Sequence, residues 1–217
     1  MKTVCGITRQ RVISRMMFLA FASLSMTLPA CTLLPSSAPL QTFILPPSKP
    51  VDASNAAPLK AILRIATPQA NEILKGRRIL VMPTSNQLNV YQGARWSLDA
   101  PSLLRDHLMD VFRRNGRLAG VIGENNPVDS DFLLLSELHA FHSEYRGKKP
   151  WAVIRLDVQL IDSTSRDLLA SRRFSVPVES QDERLESVVE AFGQAVDELS
   201  RQLVEWSLIN IANHPAS

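Results

Sequence analysis

The segment from Asp131 to Ile161 constrains the fold of this 217-residue chain most tightly. Two apolar-rich runs, Asp131 to Tyr145 and Trp151 to Ile161, flank Arg146-Gly147-Lys148-Lys149-Pro150, whose glycine and proline read as a hairpin connection. In the second run Ala152, Ile154, Leu156, Val158 and Leu160 alternate with Trp151, Val153, Arg155, Asp157 and Gln159. Successive side chains of a strand point to opposite faces, so one face is apolar and the other polar and charged. This pattern predicts an antiparallel pair with one face on the core and the other toward water or a partner. Leu168 to Val176, after a polar turn from Asp162 to Asp167, extends the meander.

The rest of the chain supplies what must cover such a sheet. A helix is predicted from about Pro101 to Asn115, with Asp99 accepting from first-turn amides, Pro101 where no helical N–H is needed, and Gly116 as the stop. Leu104, Leu108, Val111 and Phe112 recur on it at helical spacing. Arg184 to Ile209 reads as a long helix whose stripe of Leu185, Val188, Val189, Phe192, Val196, Leu199, Leu203 and Trp206 suits core packing better than a partner groove. Further strands are predicted at Lys60 to Ala66, Arg77 to Met82 and Gln87 to Tyr91, with a turn of helix between Gln69 and Lys75 ending at Gly76. The expected fold is a single α/β domain over residues 59–217, a mixed β-sheet covered by helices with a long C-terminal helix.

The first 30 residues stand apart. Lys2, Arg9, Arg11 and Arg15 precede an apolar run from Met16 to Leu28, and no acidic residue occurs before Asp52. The run has 13 residues and includes Ser23, Ser25 and Thr27. A spanning helix needs about 20 apolar residues, so residues 1–30 read as a secretory signal. The signal ends in Leu28-Pro29-Ala30-Cys31, which resembles the lipobox of bacterial lipoproteins, in which the cysteine becomes the lipid-bearing N-terminus. Pro29 departs from the usual small or hydroxyl residue there. Ordinary cleavage after Ala30 is the competing reading, but Leu28 is bulky for it; a plain thiol at Cys31 is another. Residues 31–58 then form a Pro- and Ser-rich tether holding one short strand, Gln41 to Leu45.

Processing changes the charge. The four basic side chains leave with the signal, so the mature chain carries 20 basic and 21 acidic groups. The basic patch that nucleic acid requires is not expected. With Cys5 in the signal and Cys31 lipidated, neither disulfide nor thiol remains, and the domain rests on its core.

The search for chemistry returns little. His139 and His142 are three apart on a predicted strand, hence expected on opposite faces and unable to share a metal. His107 falls on the first helix and His214 in the C-terminal tail. Glu137 with His139, or His142 with Glu144, supplies only two ligands where structural zinc takes four. There is no G-x-S-x-G elbow, and Gly116, Gly120 and Gly123 form no phosphate loop. The chain is therefore expected to be non-enzymatic, with no cofactor and no metal. Val90-Tyr91-Gln92-Gly93-Ala94-Arg95-Trp96 reads as a loop between strand and helix. Tyr91, Arg95 and Trp96 are residue types enriched at binding hot spots. They either contact a partner, or the aromatics fold back to cap the core.

The early Q-T-F-I-L strand, R-I-L-V-M-P, V-Y-Q-G-A-R-W-S-L-D-A-P-S-L-L, V-I-R-L-D-V-Q-L-I-D, L-L-A-S-R-R-F and E-L-S-R-Q-L-V-E-W together resemble the ABC-type transport auxiliary lipoproteins, including the paraquat-inducible protein C type. The resemblance spans essentially the whole mature chain and includes no catalytic residue. It implies a lipoprotein anchored to the membrane through Cys31 and facing the periplasm. Its implied partners are a mammalian-cell-entry (MCE) domain protein and the permease and ATPase of an intermembrane lipid transport system, with a second copy of the chain as a further candidate. Thr32 after the lipid cysteine, in place of Asp, implies the outer membrane. The alternatives are an accessory lipoprotein for outer-membrane assembly or export and, from another class, a periplasmic hydrolase, which the missing nucleophile elbow opposes.

Overall fold

The computed structural model describes residues 39–48 and 57–214; the expected signal segment, Cys31 and most of the expected tether lie outside them. Strands β7 (Phe132–Arg146) and β8 (Lys149–Asp162) pair antiparallel along their whole length, around a two-residue turn of Gly147 and Lys148. Gly147 has φ 67°, a conformation that glycine adopts without steric penalty. Strand β9 (Leu168–Glu179) continues the meander on the far edge of β8. The predicted alternation is present from Ile154 onward: Ala152, Ile154, Leu156, Val158 and Leu160 are fully buried and Arg155 and Gln159 exposed, whereas Val153 of the outward face is buried as well.

Because β8 occupies one edge of β7, three parallel partners share the other. They are β2 (Leu59–Ile65) at Phe132 to Leu134, β3 (Gln69–Ala70) at Glu137 and Leu138, and β4 (Arg78–Thr84) at His142 to Glu144. Outward from β4 lie antiparallel β5 (Gln87–Trp96) and then parallel β1 (Gln41–Phe43); outward from β2 lies parallel β6 (Leu118–Gly123). The result is one mixed sheet of nine strands.

Two helices supply the other layer. Helix α1 (Ala100–Asn115) starts where Asp99 accepts a 3.0 Å hydrogen bond from Ser102 N and stops at Gly116, φ 72°. Helix α2 (Leu185–Asn213) contacts β8, β9 and α1. Its stripe is core: Val188, Val189, Phe192, Val196, Leu199 and Leu203 are buried, with Leu185 and Trp206 half-exposed at the margin. Trp96 meets Phe141 and Phe192 edge to face, with centroids 5.8 and 5.3 Å apart, and those two rings stack at 4.9 Å. The N-terminal segment is fastened to this layer as well. Pro46 crosses α2 at Gly193, where a Cβ would stand 2.7 Å from its Cγ, and Ser48 donates to Asp110 at 2.9 Å.

Three local expectations are corrected. Residues 71–76 form the expected single helical turn, with Lys75 N donating to Asn71 O four residues back and Asn71 Oδ1 capping it by accepting from Leu74 N, but it starts at Asn71 because Gln69 and Ala70 pair with β7 as β3. Strand β5 runs on to Trp96 through an irregular stretch containing Gly93 at φ 72°, which interrupts the alternation used to end it at Tyr91. Strand β6, not among the expected elements, completes the far edge beside β2.

Candidate functional site

Both helices pack on one side of the sheet, and the side chains that point the other way form an open face. Its β7–β8–β9 half is charged. Asp157, opposite Arg173 in register, accepts from Arg173 Nε at 2.6 Å and Nη2 at 2.5 Å and lies 3.1 Å from His139 Nε2. The Arg173 hydrogen bonds hold the Asp157 carboxyl below the usual carboxylate range. Glu137 stands 3.9 Å from His139 Nδ1, and farther along the Arg146 guanidinium lies 4.7 Å over the Trp151 ring.

His139 corrects an expectation. The β7–β8 register shifts between Leu138 and Ala140, so an extra residue bulges out at His139. The bulge inverts the parity of everything after it, and His139 and His142 therefore line the same depression. That depression, of about 260 Å³, is mostly apolar, with Ile73, Leu80, Met82 and Leu88 among its walls. His142 Nε2 is buried without a hydrogen-bond partner, 3.6 Å from Glu144 Oε2, and burial lowers its pKa. A second, polar hollow of about 380 Å³ lies against Thr67, Gln69, Glu124, Ser136, Glu137 and Asp157. Glu124 is already engaged there, accepting from Thr67 N at 3.0 Å and Thr67 Oγ1 at 2.8 Å, which lowers its pKa. Among the described residues no three His, Cys, Asp or Glu side chains are grouped to hold a metal ion. His107, 3.1 Å from Asp197, is buried between the two helices, away from the open face.

The loop assigned to Tyr91, Arg95 and Trp96 is instead strand β5, which separates the three. Trp96 is 1% exposed and joins the core, so it offers no surface. Tyr91 is half-buried with its hydroxyl 3.0 Å from Ser143 Oγ, and burial raises its pKa. Arg95 alone points to the open face, donating Nε to Thr42 Oγ1 at 3.2 Å. The signal that reading the sequence missed is the paired-strand context of Asp157, His139 and Arg173, which only register brings together.

Residues 43–204, from β1 to within α2, match the family described as ABC-type transport auxiliary lipoprotein component. The chain belongs to this family. Protein XCC0632 from Xanthomonas campestris is 31% identical, with a TM-score of 0.73 covering 80% of this chain and 98% of its own. An uncharacterised protein shares the fold at 16% identity and a TM-score of 0.63, covering 78% of this chain and 99% of its own. No curated protein matches the chain. As an ABC transport auxiliary component, the protein is a membrane-anchored envelope lipoprotein associated with an ABC transport system. Among the described residues no helix is long and apolar enough to cross a membrane.

Proposed function

We propose that this auxiliary lipoprotein is a non-catalytic component of an MCE-type intermembrane lipid transport system. It is held through a lipidated Cys31 at the periplasmic face of the outer membrane, and the charged half of the open face docks the MCE-domain protein or the ABC permease. The observation that carries the reading is that open face itself. Its residues are ordered by pairing across strands, as Asp157 is with Arg173 and His139, and both helices are packed elsewhere. Charges arranged this way favour specificity and encounter more than raw affinity. The family's association with an ABC system supplies the class of partner.

The test is to purify the tagged full chain from cross-linked, detergent-solubilised membranes and identify what accompanies it. Permease, ATPase and MCE-domain protein are the expected companions; a polysaccharide exporter or barrel-assembly component in their place would contradict the assignment. The anchor is tested separately. Labelled fatty acid should enter the parent chain and be absent from Cys31→Ser, and equal incorporation by both would sink the lipid site.

A further inference from the structure

The β1 edge of the sheet carries a feature that partner docking leaves unused. Strand alternation places Leu40, Thr42 and Ile44 on the open side while Phe43 packs on the core. Leu40 and Ile44 are 52% and 67% exposed, and Leu98, next to the Ser97 amide that donates to Phe43 O, is 44% exposed. Around these apolar side chains stand three arginines. Arg78 and Arg95 are direct cross-strand partners, and Arg77 donates Nε to Trp96 O at the same end of β5. Like charges set opposite each other on a sheet repel. Yet among the described residues no carboxylate lies within ion-pair distance of Arg77, Arg78 or Arg95, although ten pairs of a carboxylate with a lysine or another arginine occur elsewhere. Such a cluster suits an anion.

The length of the tether says which surface brings that anion. Cys31 precedes Leu40 by nine residues. At no more than about 3.5 Å per residue, the β1 edge stays within roughly 30 Å of an anchored Cys31. We infer that the β1 edge rests in the headgroup layer of the membrane that holds Cys31, with Leu40, Ile44 and Leu98 against acyl chains and Arg77, Arg78 and Arg95 on lipid phosphates. Guanidinium matches phosphate oxygens with two parallel hydrogen bonds, and basic groups beside an apolar strip are what an interfacial surface requires. The contact orients the domain on the bilayer. The inference rests on the lipidated Cys31 of the proposed function.

Spin labels can test it, because the processed and acylated chain contains no other thiol. Ile44→Cys, Leu98→Cys and the control Ile209→Cys, which is 55% exposed on α2, are each labelled in the full processed chain. The chains are then reconstituted in phosphatidylethanolamine–phosphatidylglycerol vesicles. Labels at 44 and 98 should collide several-fold more often with dissolved oxygen than with a water-soluble nickel complex, relative to the label at 209. In the Arg78→Gln/Arg95→Gln background that preference should fall toward the control. Watery labels at 44 and 98, on a chain whose Cys31 mass spectrometry shows to be acylated, would overturn the membrane contact and leave the lipoprotein reading standing. An unacylated Cys31 would overturn both. Spin–spin broadening at 44 or 98 would put a second copy of the chain there instead, and a preference unchanged in the arginine variant would overturn the phosphate contact.

Discussion

Under the helices, Trp96, Phe141 and Phe192 meet edge to face and in a stack, each 1% exposed or less. On the opposite side of the same sheet, Asp157, His139 and Arg173 are held by charge and hydrogen bonds in contact with water. Both arrangements order their side chains, but through different physics. Buried aromatic contacts contribute heavily to stability, whereas solvent-exposed ion pairs contribute little. A sheet covered on one side can thus place its stability on the covered face and leave the other free to vary with a partner. The strands serve both, because alternation sends neighbouring residues of β8 to opposite faces: Leu156 to the core, Asp157 to the surface.

The largest expected effect lies on the covered face. Trp96→Ala removes the ring shared by Phe141 and Phe192 and should destabilise the domain by about 3–5 kcal/mol, visible as a large fall in melting temperature. Were Trp96 a partner contact instead, melting would barely change and co-purification would fail. Gly193→Ala comes next. Alanine is the better helix former, yet its Cβ would meet the Pro46 ring at 2.7 Å, so we expect a loss of about 1–3 kcal/mol in denaturant titration. A gain in stability would show that the segment through Pro46 shifts freely.

Acid should act through the buried imidazoles. Burial lowers the pKa of His107 and of His142 below the ordinary 6.5. The unfolded chain then binds more protons than the native one once the pH falls below that value, so stability declines as pH drops from 6.5 toward the native pKa. Glu198, held down to about 2 chiefly by its Arg201 hydrogen bond, stays ionised throughout and adds nothing in this window. Melting curves taken on either side of pH 6.5 check the direction; a melting temperature that rises on acidification would contradict it. The smallest effect on stability belongs to the open face. Asp157→Asn weakens the Arg173 and His139 pairs but should leave the melting temperature near the parent's while reducing recovery of the transport components.

The same division explains what could be read from the chain beforehand. The β8 alternation and the α1 signals at Asp99, Pro101 and Gly116 are local, and each appears where local chemistry puts it. So does the apolar stripe of α2, whose period depends only on the helix. What stayed hidden depends on pairing. The bulge at His139 exists only against β8, and it moves His139 and His142 onto one face. Strand β6 is held by its parallel partner β2 despite two glycines that argue against a strand. The Asp157–Arg173 pair is 16 residues apart in sequence and meets only in the β8–β9 register. The covered face and the outward-facing residues of β8 were therefore legible, and the groupings on the open face, built from register, were not.

The central claim is that the partner meets the open face and not the helices. A photo-reactive amino acid placed at Arg155, exposed on the open face of β8, and separately at Glu190, exposed on α2, tests it in intact cells. Cross-links to the permease or the MCE-domain protein from position 155, with none from 190, are the predicted result; cross-links to those proteins from 190 alone would contradict it.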